Sequence, residues 1–259
     1  GTFQYNAVGS LTVGALTPTA GTGNVAILSG AGSTLTFASL GTRGSGATVN
    51  FVPGAGAIKF TAAVAGTNSI IGGFATVNGT DFAAAVAAGG SVGPATYTAL
   101  VSTTGSLTTN YSTTGISTTG AIAVNSLKVS GGGTVTGTGV LTIKAASATS
   151  VGGILFDNSS GAGGLSGFTG ITASDVSGSE VIVYVGGSTP ANAFTIAAPI
   201  TKQTTNTVAF TKSGPGTVIL SGNSTFTGNT VVNEGTVKLS GATANLLGTI
   251  TVAGNVTTI

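Results

Sequence analysis

The 259-residue chain has no cysteine, methionine, tryptophan or histidine. Without histidine and cysteine it holds no Ser-His-Asp triad, no Cys-His pair, no imidazole or thiolate metal ligand and no disulfide. Charge is nearly missing as well: seven Lys and Arg and five Asp and Glu make 5% of the chain, where about 25% is usual. The basic residues Arg43, Lys59, Lys128, Lys144, Lys202, Lys212 and Lys238 are scattered along the whole length. Nucleic acid needs a dense basic patch that releases counterions, so it is not an expected partner. Proline is scarce, with six residues, while Val, Ile and Thr abound. That is the reverse of a disordered composition. Glycine does not recur every third residue, which excludes collagen. No run reaches the ~18 apolar residues of a spanning helix. No sustained series of ten-residue alternating segments flanked by aromatic girdles marks an outer-membrane barrel. No membrane span is therefore expected. The chain opens on Gly1 with no charged n-region or apolar h-region, so no signal peptide is expected within it.

What is present is glycine, 45 residues of it, and 41% apolar residues, with a mean hydropathy of +0.53. The pattern is short alternating runs closed by Gly or Asn, as at 9–17, 32–41 and 46–54. Such runs are strands with turns. Across 120–145 the apolar positions are Ile122, Val124, Leu127, Val129, Val135, Val140, Leu141 and Ile143. The fold class is all-β. Even strand spacing allows a β-sandwich of modules or a β-solenoid. Three features favour the solenoid. Thr, Ser and Asn suit side-chain ladders on stacked rungs, glycine is spread evenly as corner residues are, and three segments starting Gly-Thr-Val at 133, 216 and 235 resemble one another. The aromatics are expected to fill the solenoid core.

Two stretches break the rhythm. In 70–115, Asn78-Gly79 between apolar runs reads as a tight hairpin, in preference to a short helix begun by Asp81 and ended by Gly89. In 179–201, two apolar strands flank the turn 186–192. Both stretches are expected to protrude from the regular part or to cap it. The resulting division is 1–69 β-rich, 70–119 irregular insertion or hairpin, and 120–259 solenoid.

The five acids, Asp81, Asp157, Asp175, Glu180 and Glu234, offer little chemistry. Asp175 and Glu180 are close in sequence but read as solvated turn residues, not as the paired carboxylates of a glycosidase. A single Arg also argues against the Asp, Arg and Lys clusters of β-helical lyases. Residues 157–164 lack the acidic density calcium wants. Gly-x-Gly matches are expected by chance in so glycine-rich a chain, and none continues into a dinucleotide or phosphate loop. No enzyme, cofactor or metal site is expected.

Residues 210–239 carry one long motif: Thr211, Lys212, Gly214, Gly216, Thr217, Leu220, Ser221, Gly222, Thr225, Phe226, Thr227, Gly228, Thr230, Val232, Asn233, Gly235 and Thr236. This resembles the autotransporter-associated β-strand repeat, or passenger-associated transport repeat. Phe210, Ser224, Phe226 and Val237 stand where that repeat has Leu, Asn, Tyr and Leu. The resemblance implies a right-handed parallel β-helix with irregular hairpin insertions, exported by a Gram-negative bacterium and displayed extracellularly at the cell surface. The repeat-motif residues singled out are Lys212, Gly214, Gly216, Gly222, Phe226, Gly228, Asn233 and Gly235. The segments 1–14 and 248–259 read as strands without Lys, Pro or Glu guards, open to edge pairing. The expectation is a structural rod about 50–60 Å long at ~4.8 Å per rung, stacking head to tail as a fibre subunit. The alternative is an adhesin in which the 70–115 segment, with Tyr97 and Tyr111 as ligand contacts, meets a host surface or a polysaccharide.

Overall fold

The structure, a computed structural model, describes all residues except 20–23, 67, 104, 148–149, 158, 188, 203, 241–247 and 253–259. The described residues are strands joined by turns, with one 3-10 turn at Pro190–Asn192. The strands are mostly parallel, so the all-β class holds.

In strands such as Ser33–Phe37, alternation of apolar and polar residues buries one side, and equivalent positions return to stack on one another. In the first stack Thr2–Tyr5, Asn24–Ser29, Thr48–Val52 and Ala75–Val77 pair in that order, all parallel, with Phe3, Ile27, Phe51 and Val77 in register. A second parallel sheet, Gly9–Val13, Ser33–Phe37 and Ala57–Phe60, aligns Leu11 with Leu35 and Ile58, and Val13 with Phe37 and Phe60.

The second stack has three parallel sheets. Its longest sheet runs in chain order through Thr98–Ala99, Asn110–Thr113, Ser126–Val129, Ile154–Phe156, Glu180–Val185, Ala209–Ser213, Thr230–Val232 and Ile250–Val252. The next contains Ile116–Thr118, Thr134–Gly137, Gly163–Ser166, Phe194–Ile196, Thr217–Leu220 and Thr236–Leu239, and the third Ile122–Val124, Val140–Ile143 and Gly170–Ala173. Apolar ladders climb through these registers: Val135, Leu165, Ile196, Leu220 and Leu239 form one. Aromatics fill the interior as expected, with Phe156 stacked on Phe194 at 4.9 Å and Phe210 tilted against Phe226 at 6.2 Å. Tyr111 is the partner of Leu127 in the longest sheet and is buried with the main core.

The two stacks lie side by side. Gly46 sits against Val231, and Thr48 hydrogen-bonds Ser213 at 2.9 Å. Gly79 covers the Tyr184 hydroxyl, Asp81 pairs with Lys128, and Asn110 donates to the Asn68 carbonyl at 2.7 Å. Numbers rise from 46 to 81 along one stack while the facing strands step back from 231 to 128, so the second stack returns alongside the first. Among the described residues, the outermost strands of these two sheets, Thr2–Tyr5 and Ile250–Val252, therefore lie at the same end.

The opposite end is covered. Ala75–Val77 turns through Asn78 and Gly79, both with positive φ (53° and 67°), into antiparallel Asp81–Phe82. The hairpin reading holds, and the rival helix does not form. Antiparallel bridges Val64–Val86, Ile70–Ala84 and Ala83–Pro94 follow. Over the second stack, the Thr119 and Asn125 amides donate to Ser102 and Thr109 carbonyls.

Two expectations change. A single long rod is replaced by two shorter stacks, the eight-stranded sheet spanning roughly 34 Å at ~4.8 Å per step. Residues 179–201 do not protrude: Glu180–Val185 is buried along its whole length, and Phe194–Ile196 belongs to a different sheet. The outward residues of Glu180–Val185 face the first stack, which makes its polar and apolar positions equally buried.

Candidate functional site

The strand Ala209–Ser213 opens the motif at 210–239, and its two faces have different tasks. Phe210 and Lys212 point into the second stack, while Thr211 and Ser213 point at the first. Lys212 occupies an otherwise apolar ladder between Val183 and Val232. It is fully buried, and its ammonium donates to the carbonyls of Ser213 (2.7 Å), Gly214 (2.6 Å) and Glu234 (3.1 Å). Three acceptors match its three N–H donors. Burial pulls its pKa down to about 7, against the favourable Glu234 carboxylate. The lysine thereby ties the turn after Ala209–Ser213 to the turn after Thr230–Val232.

The motif glycines mark where successive strand-and-turn segments touch backbone to backbone. A Cβ at Gly235 would lie 2.5 Å from Gly214 O and 2.9 Å from Lys212 Nζ. Gly214 lies against Val185 O, Gly216 against the carbonyls of Gly186 and Gly187, Gly222 against Ala198, and Gly228 against Val208 O. Phe226 is buried against Phe210. Asn233 leaves its own stack: its amide donates to Gly46 O at 2.7 Å and Thr48 Oγ1 at 3.0 Å.

Asn233 belongs to a polar seam between the stacks. At its centre Arg43 and Glu180 form an ion pair of 2.8 Å with side chains 1% and 0% exposed. Arg43 also donates through Nε to Ala47 O at 2.8 Å, and its guanidinium lies over the Phe74 ring. The Thr211 hydroxyl donates to the other Glu180 oxygen. Glu180 is thus no solvated turn residue, which corrects that expectation. Asp175 is exposed and accepts hydrogen bonds from Asn206, which hold its carboxyl below the usual range. The clue to the seam was the single Arg of the chain together with a Glu abutting five apolar residues, 181–185. Neither has a residue of opposite charge in its sequence neighbourhood.

The two tyrosines do not share a face. Tyr111 is in the main core, and Tyr97 packs against a separate cluster of Ile70, Phe82, Ala95, Leu155 and Tyr184. The Tyr97 hydroxyl accepts from the Phe82 amide at 2.9 Å, Lys128 lies over its ring, and burial raises its pKa. Where the hairpin tip Asn78–Thr80 meets the second stack there is a cleft of about 240 Å³, with Asp157 and Glu234 on its wall.

Residues 210–239 match the passenger-associated-transport-repeat family. No curated protein and no solved structure matches the chain.

Proposed function

We propose that the chain is a structural, non-enzymatic module of a passenger displayed at the surface of a Gram-negative bacterium, folded as two right-handed β-solenoid stacks. Parallel pairing between equivalent positions one coil apart supports the solenoid over a sandwich, whose sheets are antiparallel. Right-handedness follows the general rule for parallel crossovers. The observation that carries the functional reading is the use of the passenger repeat itself. Its lysine, glycines and phenylalanine are engaged in joining one coil to the next, and its asparagine joins the two stacks. Nearest-neighbour coils suit export, because folding proceeds rung by rung as the chain emerges.

The test is surface display. Carried to the outer membrane by a translocator in a Gram-negative host, the chain should be cleaved by protease added to whole cells. A Gly235→Val variant, which obstructs the repeat, should lose that accessible population. Equal display of both chains would contradict a passenger role for the repeat.

A second reading, adhesion, draws on the cleft beneath the hairpin tip. It expects Asp157→Asn and Glu234→Gln to weaken binding of a soluble polysaccharide measured by calorimetry. Absence of any heat from the unmodified chain would end that reading.

A further inference from the structure

Asn78-Gly79 is the single Asn-Gly pair of the chain, and it forms the tip of the hairpin over the covered end, with φ of 53° and 67°. Glycine has no Cβ, so the residue after Asn78 offers its backbone nitrogen to the asparagine side chain without hindrance. The chemistry open to such a pair is internal. The Gly79 nitrogen bonds to Asn78 Cγ, the Cγ–Nδ2 bond breaks, and Nδ2 leaves as ammonia with the Gly79 proton. Water then opens the resulting cyclic imide at either carbonyl, giving aspartate or isoaspartate at position 78. Water is the one co-reactant.

Asn78 is exposed and Gly79 is buried. The Gly79 amide donates to Asn50 Oδ1 at 2.9 Å, and the same oxygen accepts from the Thr76 hydroxyl at 3.0 Å. On either side, the Asn78 amide donates to Phe51 O at 2.8 Å and the Thr80 amide to Val77 O at 3.1 Å. The Tyr184 hydroxyl closes on Gly79 from the second stack, 2.7 Å from where a Cβ would stand. Attack requires the Gly79 nitrogen to lose its proton and turn its lone pair toward Cγ. Asn50 holds that proton in a hydrogen bond and fixes the peptide plane, so the reaction has to wait until the hairpin lifts off.

We infer that Asn78 is a self-modification site gated by Asn50, which turns into aspartate or isoaspartate only when the covered end opens. Conversion is one-way. Asn78 lines the cleft that also holds Asp157 and Glu234, so a carboxylate at position 78 meets like charge when the hairpin closes again. Isoaspartate further adds a backbone carbon to the tip, out of step with the Asn50 and Phe51 contacts. The modified residue therefore records an opening and hinders re-closure.

Peptide mass spectrometry of the full chain incubated at mildly alkaline pH, native and in denaturant, tests the inference. In denaturant, residue 78 should convert fastest of the asparagines. In the native chain it should convert at least ~10-fold more slowly, the factor that a lost hydrogen bond supplies. Asn50→Ala should bring the native rate at position 78 toward the unfolded one, whereas Asn50→Asp, which keeps an acceptor oxygen, should stay slow. Exposed Asn223, in an Asn-Ser pair of the second stack, is the internal control and should convert alike in all native chains. A variant that has lost its fold shows itself there and by circular dichroism, and the native-to-denatured comparison of the unmodified chain then decides alone. Asn78→Asp should lower the denaturation midpoint. Conversion at position 78 as fast in the native chain as in denaturant, a folded Asn50→Ala chain that converts no faster, or an Asn78→Asp midpoint equal to that of the unmodified chain would each overturn the inference.

Discussion

At the scale of single residues, the most costly change is predicted at Arg43 and Glu180. The pair is buried and hydrogen-bonded on both sides, so removing one partner leaves a charge without compensation. Arg43→Met or Glu180→Gln should cost about 3–5 kcal/mol in chemical denaturation. Replacing both by apolar residues should cost much less, because no orphaned charge remains. Lys212 gives a pH signature. Its folded pKa is lowered to about 7 from 10.5, so between those values the unfolded chain holds the proton that the native chain has released. Native stability should then rise with pH across that window, by up to about 1.4 kcal/mol per pH unit. The contribution is complete above pH 10.5 and is lost as the pH falls through 7. Melting temperatures taken from pH 6 to pH 10 check this, and Lys212→Met should flatten the profile.

At the scale of elements, the hairpin that covers the closed end depends on Gly79. Its φ is positive, and an added Cβ would lie 2.7 Å from the buried Tyr184 hydroxyl. Gly89 also has positive φ, but nothing lies within 4 Å of its added Cβ. Gly89→Ala should cost only the ~1–2 kcal/mol of left-handed strain. Gly79→Ala should cost clearly more, and a comparison of the two denaturation midpoints tests the difference. The strands, the hairpin and the repeat were legible in the sequence because each is local: alternation, an Asn-Gly pair and a thirty-residue motif. The course of 179–201 was not, because an apolar strand–turn–strand reads as a hairpin. Here its strands pair instead with equivalents about 30 residues away in two different sheets. Of the expected terminal strand segment 248–259, residues 253–259 lie outside the described residues.

At the scale of the whole molecule, the side-by-side arrangement could not be read from pattern. Thr48, Ser213, Glu180 and Asn233 are polar residues pointing out of their own stacks, which in a sequence look like a solvated face. They are instead at most 4% exposed, because the outer face of one stack is covered by the other. The candidate site was legible to the same extent: the repeat residues were identifiable, but the partner of Asn233 lies 185 residues away. Closure of the seam also explains how a chain with so few charges spends two of them on each other.

The seam is the central claim, and the chain's lack of cysteine makes it directly testable. Thr48 Oγ1 and Ser213 Oγ are 2.9 Å apart although 165 residues separate them. A Thr48→Cys, Ser213→Cys variant, oxidised under native conditions, should form an intramolecular disulfide in high yield, seen as faster migration on a non-reducing gel. Prior unfolding in denaturant should abolish the preference. Thiols that stay free in the native chain, or that cross-link only between chains, would contradict the paired-stack fold.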